Sequence, residues 1–266
     1  MTGRDDGARP PVGLVRLALI GLAGGFMSGL FGVGGGIIMV PLLMLLARLD
    51  QRRAAATSLA AILPASIAGS IGYLAGGQVD WWAALFVAVG SIVGSQLGTW
   101  LLRRLPVAVL RWGFIALLVV IAVRLLFAVP ERDTGALEIS PLIALALIAF
   151  GLFVGIASGL FGIGGGVLMV PVFIGVFGMG DLIAKGTSLL VMIPTSISGT
   201  IANLRARLVE WQQGLSVGLA AVVGSFGGVA VSFALPPAVA TWLFAGLLAF
   251  TIVQMTVRAI RLQRRS

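Results

Sequence analysis

The chain has no cysteine and no histidine, one tyrosine (Tyr73) and one lysine (Lys185) among 266 residues. Without thiols or imidazoles there is no disulfide, thiol nucleophile, His-based triad, zinc cluster or axial haem pair to consider. Charge is scarce as well. Only 10% of the residues are charged against 59% apolar, where soluble domains run to about 25% and about 45–50%. Eighteen basic and nine acidic side chains cannot cover a water-soluble body of this length, so the chain uses lipid as its solvent. The net charge of +9 sits on arginines clustered between apolar runs. That is the loop charge of a membrane protein rather than one basic face for nucleic acid. No nucleic-acid partner, metal or cofactor is indicated.

What is present is long apolar sequence, at 14–47, 54–76, 81–102, 107–128, 140–178, 184–204, 211–234 and 237–260. Most runs suit one helix across a hydrocarbon core of about 30 Å. A polar tail, 1–13, precedes them, and the first run has neither the length nor the cleavage pattern of a signal peptide. Segments 14–47 and 140–178 are too long for one crossing, short for two, and broken by glycine. They are copies. GLAGGFMSGLFGVGGGIIMVP (21–41) and GLFVGIASGLFGIGGGVLMVP (151–171) agree at 14 of 21 positions, at an offset of 130. The offset persists through Thr57-Ser58 and Thr187-Ser188, Pro64 and Pro194, Ser66 and Ser196, and Asp80-Trp81 and Glu210-Trp211. The chain is therefore read as two repeats, 14–129 and 141–260, with a linker at 130–140 and a basic tail at 261–266.

Loop charge orients the repeats. Loop 48–53 carries Arg48, Arg52 and Arg53, but its counterpart, 178–185, carries only Lys185; 103–111 carries three arginines and 235–241 none. Loop 77–80 has none and 205–210 has Arg205 and Arg207; the acidic linker is matched by the arginine-rich C-terminus. Every pair flips, so by the positive-inside rule both termini are cytoplasmic. This works only if each long segment is a hairpin turning at its glycines. The expected fold is an all-α polytopic membrane protein of two inverted repeats, each a glycine-broken helical hairpin plus three transmembrane helices. Such repeats are the layout of secondary transporters.

The candidate site is the pair of breaks, Gly34, Gly35 and Gly36 with Gly164, Gly165 and Gly166. Glycine can leave helical geometry, and the helices that resume present unpaired N–H groups to an anion. Thr57, Ser58 and Ser66, matched by Thr187, Ser188, Thr195 and Ser196, lie around prolines that kink their helices near the midplane. Ser28 and Ser158, inside the copied motif, complete the set. The plainer alternatives are close packing for the glycines and helix capping for the hydroxyls. Gly90, Gly94 and Gly98 with Gly224 and Gly228, four apart, read as packing glycines, and the tryptophans at segment ends as interfacial anchors. Lys185 reads as a solvated loop charge. No carboxylate lies deep in a span, so a buried proton relay is not visible.

The doubled GLFGVGGGIIMVP and GLFGIGGGVLMVP segments, each followed by Thr-Ser and a mid-span proline, resemble the sulfite exporter TauE/SafE permeases. The resemblance spans nearly the whole chain. It implies a plasma (inner) membrane permease for sulfite, sulfonates and related organosulfur anions, whereas the residues alone reach only a small anion. The expected function is alternating-access transport of such an anion, with the lipid bilayer and the substrate as partners and a homodimer left open. A passive anion channel and a non-transporting scaffold are the rival readings. An intramembrane enzyme lacks the residues it would need.

Overall fold

Capping residues and glycine turns divide the apolar runs into ten helices in the described part of the computed structural model, residues 13–126, 137 and 139–263. The polar tail before Gly13, most of the linker and residues 264–266 lie outside it. The helices are α1 (Leu14–Phe31), α2 (Gly36–Leu46), α3 (Gln51–Ala75), α4 (Trp81–Arg104), α5 (Val107–Leu126), α6 (Pro141–Phe161), α7 (Gly166–Gly175), α8 (Asp181–Arg205), α9 (Trp211–Ala234) and α10 (Pro237–Gln263). There is no strand among the described residues. Seven helices (α1, α3, α4, α6, α8, α9 and α10) are long and apolar enough to cross a membrane. The protein is an all-helical, multi-pass membrane protein.

Asp50 accepts bonds from the N–H groups of Arg52 and Arg53 and so starts α3 earlier than hydropathy alone suggests. Asp80 caps α4 through Ala83, and Ser140 caps α6 with Pro141 in its first turn.

Both long segments fold back on themselves. α1 ends at Gly32, in a left-handed conformation with φ 68°, and the chain turns through Gly34 and Gly35, also at positive φ. α2 then returns beside α1. A Cβ on Gly35 would collide with the Gly24 carbonyl, and one on Gly24 would meet the Met39 side chain. The second copy repeats this, with Gly165 against Val154 and near Met169.

The two halves of the sequence are interlaced rather than side by side. α1 packs along α9 and α4 along α6, so in each tight pair the helices come from different halves. Glycine columns make the approach. A Cβ on Gly21, Gly25 or Gly29 would strike the carbonyls of Val217, Ala221 or Ser225; on Gly90, Gly94 or Gly98 it would strike those of Ile148, Leu152 or Ile156. Backbones this close gain dispersion contacts that longer side chains would forbid. The counterpart helices α3 and α8 run antiparallel, since Gly69 lies against Leu189 and Gly199 against Leu59.

These columns make a sharp prediction. Gly94→Val, on the α6-facing side, costs about 1–3 kcal/mol or more through overpacking. Gly227→Val, where a Cβ would meet only Phe26 Cδ2 at 3.8 Å, changes stability little. Thermal unfolding in one detergent compares them directly.

Candidate functional site

The two glycine breaks meet each other at the centre of the bundle. A Cβ on Gly36 would strike Ile163 and the Gly162 carbonyl, and one on Gly166 would strike the Gly32 carbonyl and Val33. Gly34 and Gly164 lie against the same two side chains, Ile62 of α3 and Met192 of α8, which are counterparts 130 residues apart. Val33, Ile62, Ile163 and Met192 are fully buried. The sequence reading missed Ile62 and Met192, because nothing distinguishes these apolar residues from other core positions.

Each break leaves donors unused. In the first, Gly32 N–H bonds to Ser28, and pairing resumes at Ile38, whose N–H bonds to Gly35. The N–H groups of Val33 through Ile37, and of Ile163 through Val167, make no backbone hydrogen bond among the described residues. These groups run from the turn into the first residues of α2 and α7, where helix dipoles present partial positive charge.

The hydroxyls separate into two kinds. Ser58 Oγ donates to the Gly162 carbonyl at 3.0 Å, and Ser188 Oγ to the Gly32 carbonyl at 2.6 Å, so each half holds the other's break. Thr57 Oγ1 accepts from Glu210 N–H at 3.0 Å, and Thr187 Oγ1 from Asp80 N–H at 2.9 Å. Thr195 donates to the Val191 carbonyl and pairs with Ser91. These five residues brace the frame. Ser28, Ser66, Ser158 and Ser196 are fully buried, yet their hydroxyls have no partner among the described residues. Ser66 and Ser196 each lie one turn beyond Ile62 or Met192. Ser28 and Ser158 lie one turn beyond Gly24 or Val154, which receive the returning helices. Residues four apart share a helix face, so all four belong to the faces that surround the breaks.

Gly35 and Gly165 carry a second duty. Both are at positive φ and both abut the helix that precedes them, so a side chain there disturbs the hairpin itself.

Lys185 is not a solvated loop charge. It lies inside α8, 3% exposed, with Nζ 2.8 Å from Asp181 Oδ2 and 3.2 Å from Ser232 Oγ. Its backbone packs on Gly32. A buried charge needs such a partner, and the counterpart positions, Gln51 and Ala55, carry none.

Removing a bracing hydroxyl should differ from removing an unpaired one. Ser58→Ala or Ser188→Ala leaves a buried carbonyl unpaired and costs about 1–3 kcal/mol. Ser66→Ala or Ser196→Ala deletes a group that is bonded to nothing and leaves thermal stability near the parent's. Unfolding midpoints of the four variants in detergent check this.

Known proteins fit the same picture. The model of the family described as "Sulfite exporter TauE/SafE" matches residues 2–125 and 147–266. "Probable membrane transporter protein YunE" of Bacillus subtilis (strain 168) is 28% identical over 240 residues, covering 82% of this chain and 88% of that protein. A "Probable membrane transporter protein" of Xylella fastidiosa (strain 9a5c) is 30% identical over 210 residues, 77% of each chain. "Probable membrane transporter protein MamO" of Magnetospirillum gryphiswaldense is 37% identical over 134 residues, 47% of this chain but 21% of that longer protein. No solved structure matches. The chain is a member of the TauE/SafE sulfite exporter family and a membrane transporter.

Proposed function

We propose that the protein carries a small oxyanion, sulfite or a sulfonate, across the plasma membrane by alternating access, with the substrate bound where the two glycine breaks meet. One observation carries the reading. Two sets of backbone N–H groups at the starts of α2 and α7 make no hydrogen bond among the described residues, and four buried serines, one turn from residues that touch the breaks, have hydroxyls with no partner there either. Polar groups in a lipid-embedded core are costly unless something satisfies them. Donors at helix N-termini suit an anion, and their dipoles do not titrate. The sulfur oxyanion class comes from the family.

The repeats are inverted in this account, each a hairpin plus three spanning helices, as the antiparallel packing of α3 on α8 supports. Charge supports the orientation. Arg52 Nη2 bonds to the Leu105 carbonyl, Arg53 pairs with Glu210, and Arg258 bonds to the Met44 carbonyl. These contacts gather the starts of α3 and α9 and the ends of α2, α4 and α10 at one arginine-rich end. The opposite end holds Lys185, in the first turns of α8. The arginine-rich end is cytoplasmic by the positive-inside rule.

The moving bodies follow the packing rather than the sequence. α1, α3 and α9 form one body and α4, α6 and α8 the other, meeting at the α3–α8 contact and the breaks. A membrane potential moves an anion by about 2.3 kcal/mol per charge per 100 mV, so outward flux needs no titrating side chain.

Purified protein in liposomes, given radiolabelled sulfite, sulfate, thiosulfate or taurine with and without an imposed potential, tests the reading. The expected result is saturable, potential-sensitive flux of sulfite or another sulfur oxyanion. Ser28→Ala, Ser66→Ala, Ser158→Ala and Ser196→Ala should each weaken apparent affinity about five- to a hundredfold while the protein stays folded. Flux that never saturates would favour a channel on the same scaffold, and no flux of any anion would sink the proposal.

A further inference from the structure

Away from the breaks, a second group of donors is left without acceptors. Arg111, in the first turns of α5, and Arg258, near the end of α10, are both half-buried, on two helices that pack against each other. Neither has a carboxylate partner among the described residues. Arg258 uses Nη2 on the Met44 carbonyl at 3.0 Å, but its Nη1 is buried and has no partner among the described residues, and the same holds for Arg111 Nε. Two half-buried cations on packed helices, each with a buried N–H that has no partner among the described residues, are costly to desolvate, and an anion between them offsets that cost.

The surroundings say what kind of anion. The pair lies where α5 packs on α10, at the arginine-rich end of the bundle. Its rim is apolar and exposed, with Val109 and Trp112 on α5 and Val257 and Ile260 on α10. The site therefore opens toward acyl chains rather than toward the central breaks. The repeat does not supply it, since the positions 130 residues away are Thr241 and Ala128. Basic pockets between spanning helices on the cytoplasmic side suit anionic lipid headgroups, and guanidinium forks suit phosphate oxygens.

We propose that Arg111 and Arg258 clamp the phosphate of an anionic phospholipid of the leaflet at the arginine-rich end, seated between α5 and α10. Through the Met44 carbonyl, Arg258 also ties this headgroup to the C-terminal end of α2, the helix that returns from the first break.

The test uses full-length protein reconstituted in phosphatidylcholine, with or without phosphatidylglycerol, and counts retained lipid by native mass spectrometry. The parent should retain one phosphatidylglycerol and melt higher in its presence. The double variant Arg111→Gln/Arg258→Gln should lose that lipid, with affinity falling about tenfold or more. The control pair Arg103→Gln/Arg261→Gln removes the same charge from exposed positions and should retain it. Arg111→Lys/Arg258→Lys, which keeps the charge without the fork, should retain less than the parent and guards against a Gln variant that fails to fold. Equal retention by all variants would overturn the proposal, as would equal loss from the control pair, which would mean general surface charge. Stabilisation of the parent by inorganic phosphate in pure phosphatidylcholine would assign the clamp to a free anion and overturn the lipid source.

Discussion

Backbone that leaves helical geometry inside a bilayer must find hydrogen bonds somewhere, and the rest of this molecule is arranged around that constraint. Two unwound turns, one from each half, are pressed together at its centre. The carbonyls that end the incoming helices, Gly162 and Gly32, are held by Ser58 and Ser188, each reaching across from the opposite half. The N–H groups of Val33 through Ile37 and of Ile163 through Val167 make no hydrogen bond among the described residues. One carbonyl of each break is thus held by the opposite half, and the N–H groups that precede and open α2 and α7 remain for a ligand, the kind of donor an anion binder requires.

The glycine columns give the breaks their frame. Because α1 clasps α9 and α4 clasps α6, no half can be withdrawn without undoing backbone-to-backbone contact along four helices. Between the two clasped pairs α3 packs on α8, and that seam is lined by Ile62, Met192 and the glycines that face them. Apolar side chains there close the centre without competing for the donors. At the arginine-rich end, Arg53 with Glu210 joins α3 and α9 within one body. At the other end, the Lys185–Asp181 pair and Ser232 join α8 to α9 across the two bodies. The ends of the seam are therefore chemically unlike, although the repeat is nearly symmetric.

Much of this was legible in the sequence, for physical reasons. Apolar runs separated by capping acids and glycine turns allow few structures in lipid, and so the spans could be read. Gly90, Gly94 and Gly98 could be read as a packing face, because four-residue spacing aligns them on one side of a helix. Their partner could not, since a smooth face says nothing of which helix covers it; the same motif on α6, Gly151, Gly155 and Gly159, is what answers it. The breaks were visible as runs of glycine. Thr57 and Thr187 were visible as candidates, but a hydroxyl that caps another helix and one that awaits a ligand look alike until neighbours are placed. Lys185 was misread for a related reason. Its burial depends on Asp181 one turn earlier and on Ser232 from α9, a long-range contact that charge patterning along the chain does not encode.

The central claim is that two interlaced bodies rock about the α3–α8 seam and open the breaks to one side at a time. The absence of native cysteine makes spin labelling clean. Labels at Gln212 and Arg104 report one end of the bundle, and labels at Trp82 and Ala234, their counterparts 130 residues away, report the other. Electron–electron distance measurements in lipid nanodiscs, with and without sulfite, should show the two pairs changing in opposite senses, one separating as the other closes. Distances that both stay fixed under saturating substrate, or that widen together, would contradict the account.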